Sequence, residues 1–252
     1  MFLELIQSNS FPEIIGKESI DIDFINYGDT ELVYVLTKDN DPSKQYAILV
    51  NQPPIPFGTV EKEYNNLIKL NQKHPEVVAP LFYFHNADKT RELYIMNYYH
   101  QSRCIGCDFH GWGMWIPEPY YRFQTNKPEN NKIINACMIA LLIKFYDEDE
   151  KLGVAACKIG GGDFMLEKGF ENEEIDYTNI LKRMKLIGCR ELIHIELDDY
   201  IELIRKEFSK SNYYKTLKER DPSILINHKC RIGMNLNDIE DGIKLGLELR
   251  KQ

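Results

Sequence analysis

The stretch from Gly153 to Leu166, GVAACKIGGGDFML, constrains this chain more than any other. Upstream of it, Ile133, Ile134, Cys137, Met138, Leu141, Leu142 and Phe145 recur at helical spacing and predict one apolar helix face. The acids Asp147, Glu148, Asp149 and Glu150 mark a turn. A short apolar run follows, then Gly160-Gly161-Gly162, then the strand-like Phe164-Met165-Leu166. Glu174-Ile175-Asp176-Tyr177 next brings a carboxylate to the end of another short apolar step. The order is therefore helix, loop, short strand, turn, short strand, aspartate.

Composition narrows the classes of function. A chain of 252 residues, 43% of them hydrophobic, can build a core for one large domain or two lobes. Its net charge of -8 argues against a nucleic-acid footprint or an anionic membrane surface. No apolar run approaches the roughly 20 residues of a membrane span. The opening MFLELIQSNSF lacks the basic flank of a secretion signal. The six scattered cysteines fit reduced thiols, so a cytoplasmic protein is expected.

The first hundred residues read as a β-rich lobe with one helix. Strands are expected at Ile20–Ile25, Leu32–Thr37 and Tyr46–Val50, separated by turns at Asn26–Thr30 and Asp39–Ser43. Pro53, Pro54 and Pro56 break the chain, and Thr59 is placed to cap a helix bearing Val60, Tyr64, Leu67 and Ile68 on one face. Val77–Phe84 and Leu93–Tyr98 complete the set as two more strands.

That order, with NYGDTELVYVLT, QYAILVNQP, EKEYNNLIKL, VVAPLFYF and ELYIMNYY, resembles the N-terminal lobe of the aminoglycoside phosphotransferase and choline kinase branch of the protein-kinase-like superfamily. Members carry a G-x-T-N-x-x-Y-x-V turn, and Gly28, Thr30 and Tyr34 match it. The strand at 46–50 and the early helical Glu63 match as well. The branch's catalytic loop, roughly H-G-D-x-H-P-G-N-x-(L/M), overlays Ala156 to Met165. The resemblance covers about residues 20–100 and 131–180. It implies an α+β, two-lobed kinase-like fold: a small antiparallel β lobe with one helix over 1–99, and a larger, mainly helical, trimmed lobe over 100–252 with an irregular insert at 100–128. It also implies ATP and Mg as ligands of the interlobe cleft, with Gly28, Leu49, Glu63, Met96 and Tyr98 as nucleotide-facing positions.

The departures from the family pattern carry the functional expectation. The phosphate-pairing lysine position is Leu49. The histidine position is Ala156, and Lys158 stands where a carboxylate accepts the substrate proton. Asp163 replaces the metal-binding asparagine and keeps a hard-oxygen ligand, while Asp176 stands in the second metal position. Losing the lysine and the base together removes most of the positioning and charge stabilisation of phosphoryl transfer. The expectation is a kinase-like pseudoenzyme with a binding or regulatory role toward a protein or small-molecule partner. Against it stands an active Mg-dependent phosphotransferase or nucleotidyl transferase with reassigned residues.

Plainer roles remain open for each residue. The three glycines serve equally as a flexible turn, Lys158 as a solvated loop lysine, and Asp163 and Asp176 as capping or turn residues. Tyr94, Tyr98 and Tyr99 suit a lobe core and linker as well as an adenine-stacking site. Within the insert, His100, Cys104, Cys107 and His110 hold the ligand inventory of a tetrahedral zinc site around a C-x2-C step. So compact a set suits an ordinary cluster of buried thiols better, and a zinc-stabilised interaction module is the third functional reading. Towards the C-terminus, Asp198-Asp199 and Asn237-Asp238 read as caps of two amphipathic helices, the first burying Tyr200, Ile201, Ile204 and Phe208, the second Ile239, Ile243 and Leu247.

Overall fold

A computed structural model describes residues 20–27, 31–41, 43–51, 55–98, 102–104, 128–159, 163–167, 175–209 and 234–251. These fall into two compact units. One is drawn from Met1–Ile68 and Val78–His100, the other from Lys69–Val77 and Gln101–Gln252.

The first unit is a sheet with a helix. Alternating apolar and polar residues build β1 (Ile20–Tyr27), and continuous β-branched and aromatic runs build β2 (Glu31–Lys38) and β3 (Gln45–Asn51), followed by helix α1 (Thr59–Asn71), β4 (Phe82–His85) and β5 (Glu92–Asn97). The strands lie in the order β1-β2-β3-β5-β4, and every neighbouring pair is antiparallel. The β2–β3 connection turns through Asp39 and Asn40, whose φ values of 59° and 54° occupy the left-handed region where Asn and Asp are tolerated. Leu36, Ile48, Val50, Leu93 and Ile95 form one apolar cluster on the sheet. Period-2 alternation therefore puts Leu49 on the opposite face from Ile48 and Val50, paired with Val33 and Tyr94.

Two expectations for this unit need correction. The strand expected from Val77 is shorter and begins at Phe82, because Pro80 has no N–H to contribute to a ladder. Thr59 does not cap α1: its hydroxyl donates to the Pro56 carbonyl at 2.8 Å. The cap comes instead from Glu92 on β5, whose carboxylate accepts from the Val60 and Glu61 amides at 3.0 and 3.3 Å.

The second unit centres on α2 (Pro128–Lys144). Its sequence pattern predicts one apolar face, yet Ala136, Ile139, Ala140 and Ile143 are buried as completely as Cys137, Leu141 and Leu142. The helix is apolar on nearly all sides and is wrapped by its neighbours. Around it stand β6 (Ser102–Cys104), β7 (Leu152–Val154), β8 (Phe164–Glu167), α3 (Tyr177–Arg183), β9 (Met184–Leu186), β10 (Leu192–His194), α4 (Leu197–Phe208) and α5 (Leu236–Leu249). The strands form a β7–β10 pair and a β6-β8-β9 sheet.

Tyr200, Ile201, Ile204 and Phe208 of α4 are buried as their spacing predicts. The caps differ from expectation. Glu196 occupies the cap position of α4 without a side-chain bond, and Asn235 caps α5 by accepting from the Asn237 amide at 3.0 Å. Asp238 lies one turn further in, buried, and accepts from Asn135 of α2 at 3.2 Å. Residues 69–77 are tied to this unit by ion pairs of Lys73 with Asp147 and of Glu76 with Lys144, both at 2.5 Å, and of Lys69 with Glu150. Among the described residues no helix is long and apolar enough to cross a membrane.

Candidate functional site

The segment that carries the candidate chemistry starts from a rigid base. After α2 the chain turns through Asp147–Leu152, closed by two main-chain hydrogen bonds of 2.8 and 3.0 Å, with Lys151 in the left-handed region at φ 50°. Strand β7 then passes against Tyr200 so closely that a Cβ at Gly153 would lie 2.8 Å from the ring. The Tyr200 hydroxyl donates to the Val154 carbonyl at 3.0 Å, and complete burial pushes its pKa far above the usual phenol range. Ala155 and Ala156 are buried behind this, and Ala156–Lys158 form one tight 3-10 turn.

Both ends of the loop are fastened to one stretch of chain. At the near end the Ala155 amide donates to the Glu191 carbonyl at 2.9 Å. At the far end the Asp163 carbonyl accepts from the Ile187 and Gly188 amides at 2.8 and 3.3 Å. The cause is the antiparallel pairing of β8 with β9, Phe164 opposite Leu186 and Leu166 opposite Met184, which delivers Ile187 and Gly188 to the start of β8. The residue beside Asp163 at this point is a glycine, followed by Cys189, fully buried.

Asp176 sits before that pairing rather than after it. It is the N-cap of α3: its carboxylate accepts from the Asn179 amide at 2.8 Å and from the Asn179 side chain at 3.1 Å. The sequence order of short strand, turn, short strand, aspartate thus meets an inserted helix. The strand that pairs with β8 is β9, and it begins eight residues beyond Asp176. The neighbouring Cys137 thiol is pushed up to about 12, first by burial and then by the charge of Asp176, so it stays protonated in the core.

The other candidates are distributed as follows. Lys158 ends the 3-10 turn. Asp163 is half-buried at the head of β8. Leu49 is half-buried in β3, Glu63 is buried in α1 at 3% exposure, and Met96 is buried in β5. Tyr98 is half-buried, its amide donating to the Gln45 carbonyl at 3.1 Å. Gly28 lies outside the described residues, as do His100, Cys107 and His110; Cys104 ends β6 as backbone. No group of three or more His, Cys, Asp or Glu side chains placed to hold a metal ion occurs among the described residues.

Two features escaped the sequence pattern. Gly188 could have been found only by pairing MKL with FML across an insertion of unknown length. Glu92 is fully buried in the sheet, accepts from the Tyr83 hydroxyl at 2.9 Å besides the two α1 amides, and has its own amide bonded to the Asn51 side chain at 3.0 Å. Its signal was a lone carboxylate opening the otherwise apolar run Leu93–Met96.

No protein-family model and no curated protein matches the sequence. Solved structures do: the kinase domain of a maize sucrose-induced receptor kinase, bound to AMP-PNP, is similar at 13% identity over 83% of this chain, with a TM-score of 0.42. The chain spans 65% of that domain's length. A likeness at that score decides nothing about chemistry, which rests on the residues themselves.

Proposed function

We propose that this protein is a catalytically degenerate member of the kinase-like superfamily, with a binding or regulatory role in place of phosphoryl transfer. The observation that carries the reading is the junction of Asp163 with Ile187 and Gly188. Kinases hold their metal ions with an asparagine of the catalytic loop and an aspartate placed after the following strand pair. Here β9, which pairs with β8, leads into Ile187-Gly188-Cys189, and the carboxylate of Asp176 is engaged as a helix cap. Leu49 offers no charge to a nucleotide phosphate. Lys158 as an ammonium accepts no proton from an acceptor hydroxyl, and general-base assistance alone is worth roughly 10²–10⁴ in rate. Three separate elements of the mechanism are therefore altered, and they lie on different strands and loops.

The test is turnover. With ATP and Mg²⁺, the purified protein should stay at background against small alcohols, aminoglycosides and protein acceptors. Measurable turnover abolished by Asp163→Ala would overturn the reading and establish an active Mg-dependent transferase with reassigned residues. In that case Lys158→Ala is the variant that decides whether the ammonium takes part.

A further inference from the structure

Glu92 is a buried titratable group whose described side-chain bonds all serve other elements. Its side chain is 0% exposed, and each carboxylate oxygen accepts from an amide of the first turn of α1, Oε1 from Val60 and Oε2 from Glu61. The Oε2 atom also accepts from Tyr83 on β4. The backbone of Glu92 is fixed in turn by Asn51 at the end of β3, itself buried at 2% exposure, whose carbonyl receives the Arg91 guanidinium at 3.2 Å. One carboxylate thus joins β4 and β5 to the start of α1, while the Glu92 amide ties the same residue to the end of β3.

A helix begins with amides that have no partner inside the helix, and an anion there gains both hydrogen bonds and a favourable dipole. Caps normally come from the residue just before the helix. This one comes from more than thirty residues away in sequence, from a strand with no freedom to follow the helix should it move.

We infer that Glu92 is a positioning residue that holds α1 permanently against its sheet, so that α1 is a fixed element and not a mobile regulatory one. The inference rests on the proposed degenerate kinase-like reading. In active kinases the corresponding helix is set by an ion pair between its glutamate and a strand lysine, and its position is a control point. At the strand position that holds this lysine, the chain has Leu49. A carboxylate on the neighbouring strand takes over the placement of the helix, and takes it over constitutively.

Amide hydrogen exchange on the full chain tests this. In the ligand-free protein, Val60 and Glu61 should exchange as slowly as the ladder amides of β3 and β5, and ATP with Mg²⁺ should leave them unchanged. Glu92→Gln keeps the shape but turns one acceptor into an NH₂ group facing amide donors. It should speed exchange at Val60 and Glu61 by about ten- to a hundredfold while the β3 and β5 amides hold, the loss expected for a hydrogen bond to a charged group.

Should Glu92→Gln fail to fold, Tyr83→Phe provides the second measurement. It removes only the third donor, and Val60 and Glu61 should stay protected. Fast exchange at the two amides in the native protein, a marked slowing by nucleotide, or equal loosening of helix and sheet in Glu92→Gln would overturn the inference. ATP turnover with the expected exchange pattern would instead overturn the degenerate reading and leave the latch standing.

Discussion

At α1 the attachment of a helix to its unit turns on a charge; at α5 it turns on the absence of side chains. Glu92 reaches α1 through specific bonds to Val60 and Glu61, each with a defined donor and acceptor. Helix α5 lies against α2 through Gly242 and Gly246, where an added Cβ would stand 2.6 Å from the Ala136 carbonyl oxygen and 2.6 Å from Ile143 Cβ. The polar attachment depends on one atom pattern and tolerates little change of chemistry. The apolar one depends on shape and tolerates little change of volume. The first fixes where a helix starts, the second how closely two helices approach.

The largest effect is expected where shape rules. In an exposed helix, glycine to alanine stabilises by about 1 kcal/mol. Gly242→Ala should do the reverse, because its methyl meets a backbone oxygen that cannot swing aside. A loss of about 2–3 kcal/mol by urea denaturation is expected from overpacking, and Gly242→Ala with Gly246→Ala should lose more than either alone. Stabilisation by Gly242→Ala would mean that α2 and α5 are not in this close contact. The comparison with α1 would then lose one of its arms.

A smaller effect is expected where both kinds of attachment meet. Tyr200 packs its ring on Gly153 and gives its hydroxyl to Val154. Tyr200→Phe keeps the ring and leaves the buried carbonyl short of a donor, which should cost about 1 kcal/mol. Gly153→Ala should cost more, because the ring is hemmed in by the stacked Tyr146 at 5.5 Å. Tyr200→Leu would then soften the effect of Gly153→Ala, a coupling measurable in a double-mutant cycle. Additive losses would separate the ring from the glycine and leave the hydroxyl bond as the whole of the contact.

What the sequence made legible follows the same division. Period and punctuation located β2, β3, α1 and β5 and the buried face of α4, because each is a local pattern read from consecutive residues. Distant pairing was hidden. Nothing within residues 164–186 says that FML will pair with MKL across the helix that Asp176 caps, so Asp176 reads from the sequence as following a strand pair that it in fact precedes. Glu92 was hidden for the same reason: a cap supplied from another strand leaves no mark beside the helix it caps. The burial of α2 on nearly every side was half visible. Ala136 and Ala140 fall outside the apolar face the pattern predicts, and they are small because Gly242 and Gly246 of a helix far along the chain come up against that side.

The smallest expected effect concerns pH, and it sharpens the contrast between a buried charge that is bonded and a half-buried group that is not fully so. His74 lies with its ring 5.0 Å from that of Phe145, and burial holds its pKa below the ordinary value, outweighing the nearby carboxylate of Glu76. The other charges bearing on it are Lys144, Lys73 and Asp147. A histidine whose folded pKa is lowered is preferred neutral in the native state, so the unfolded chain binds more protons once the pH falls below about 6.5. Stability should therefore be complete above that pH and decline as the pH falls from there through the lowered folded value. The pairs of Lys73 with Asp147 and Lys144 with Glu76 involve carboxylates whose pKa values are lowered too, Asp147 by its bond to Lys73 and Glu76 by Lys144 against an opposing burial effect. Their contributions are lost only at more acidic pH, so the two causes separate along the pH axis. Urea denaturation of the native protein and of His74→Gln from pH 7.5 downward checks the assignment. The variant should lack the decline just below pH 6.5 and keep the steeper acid loss. An unchanged profile would place the first decline on another group and leave His74 as packing against Phe145 alone.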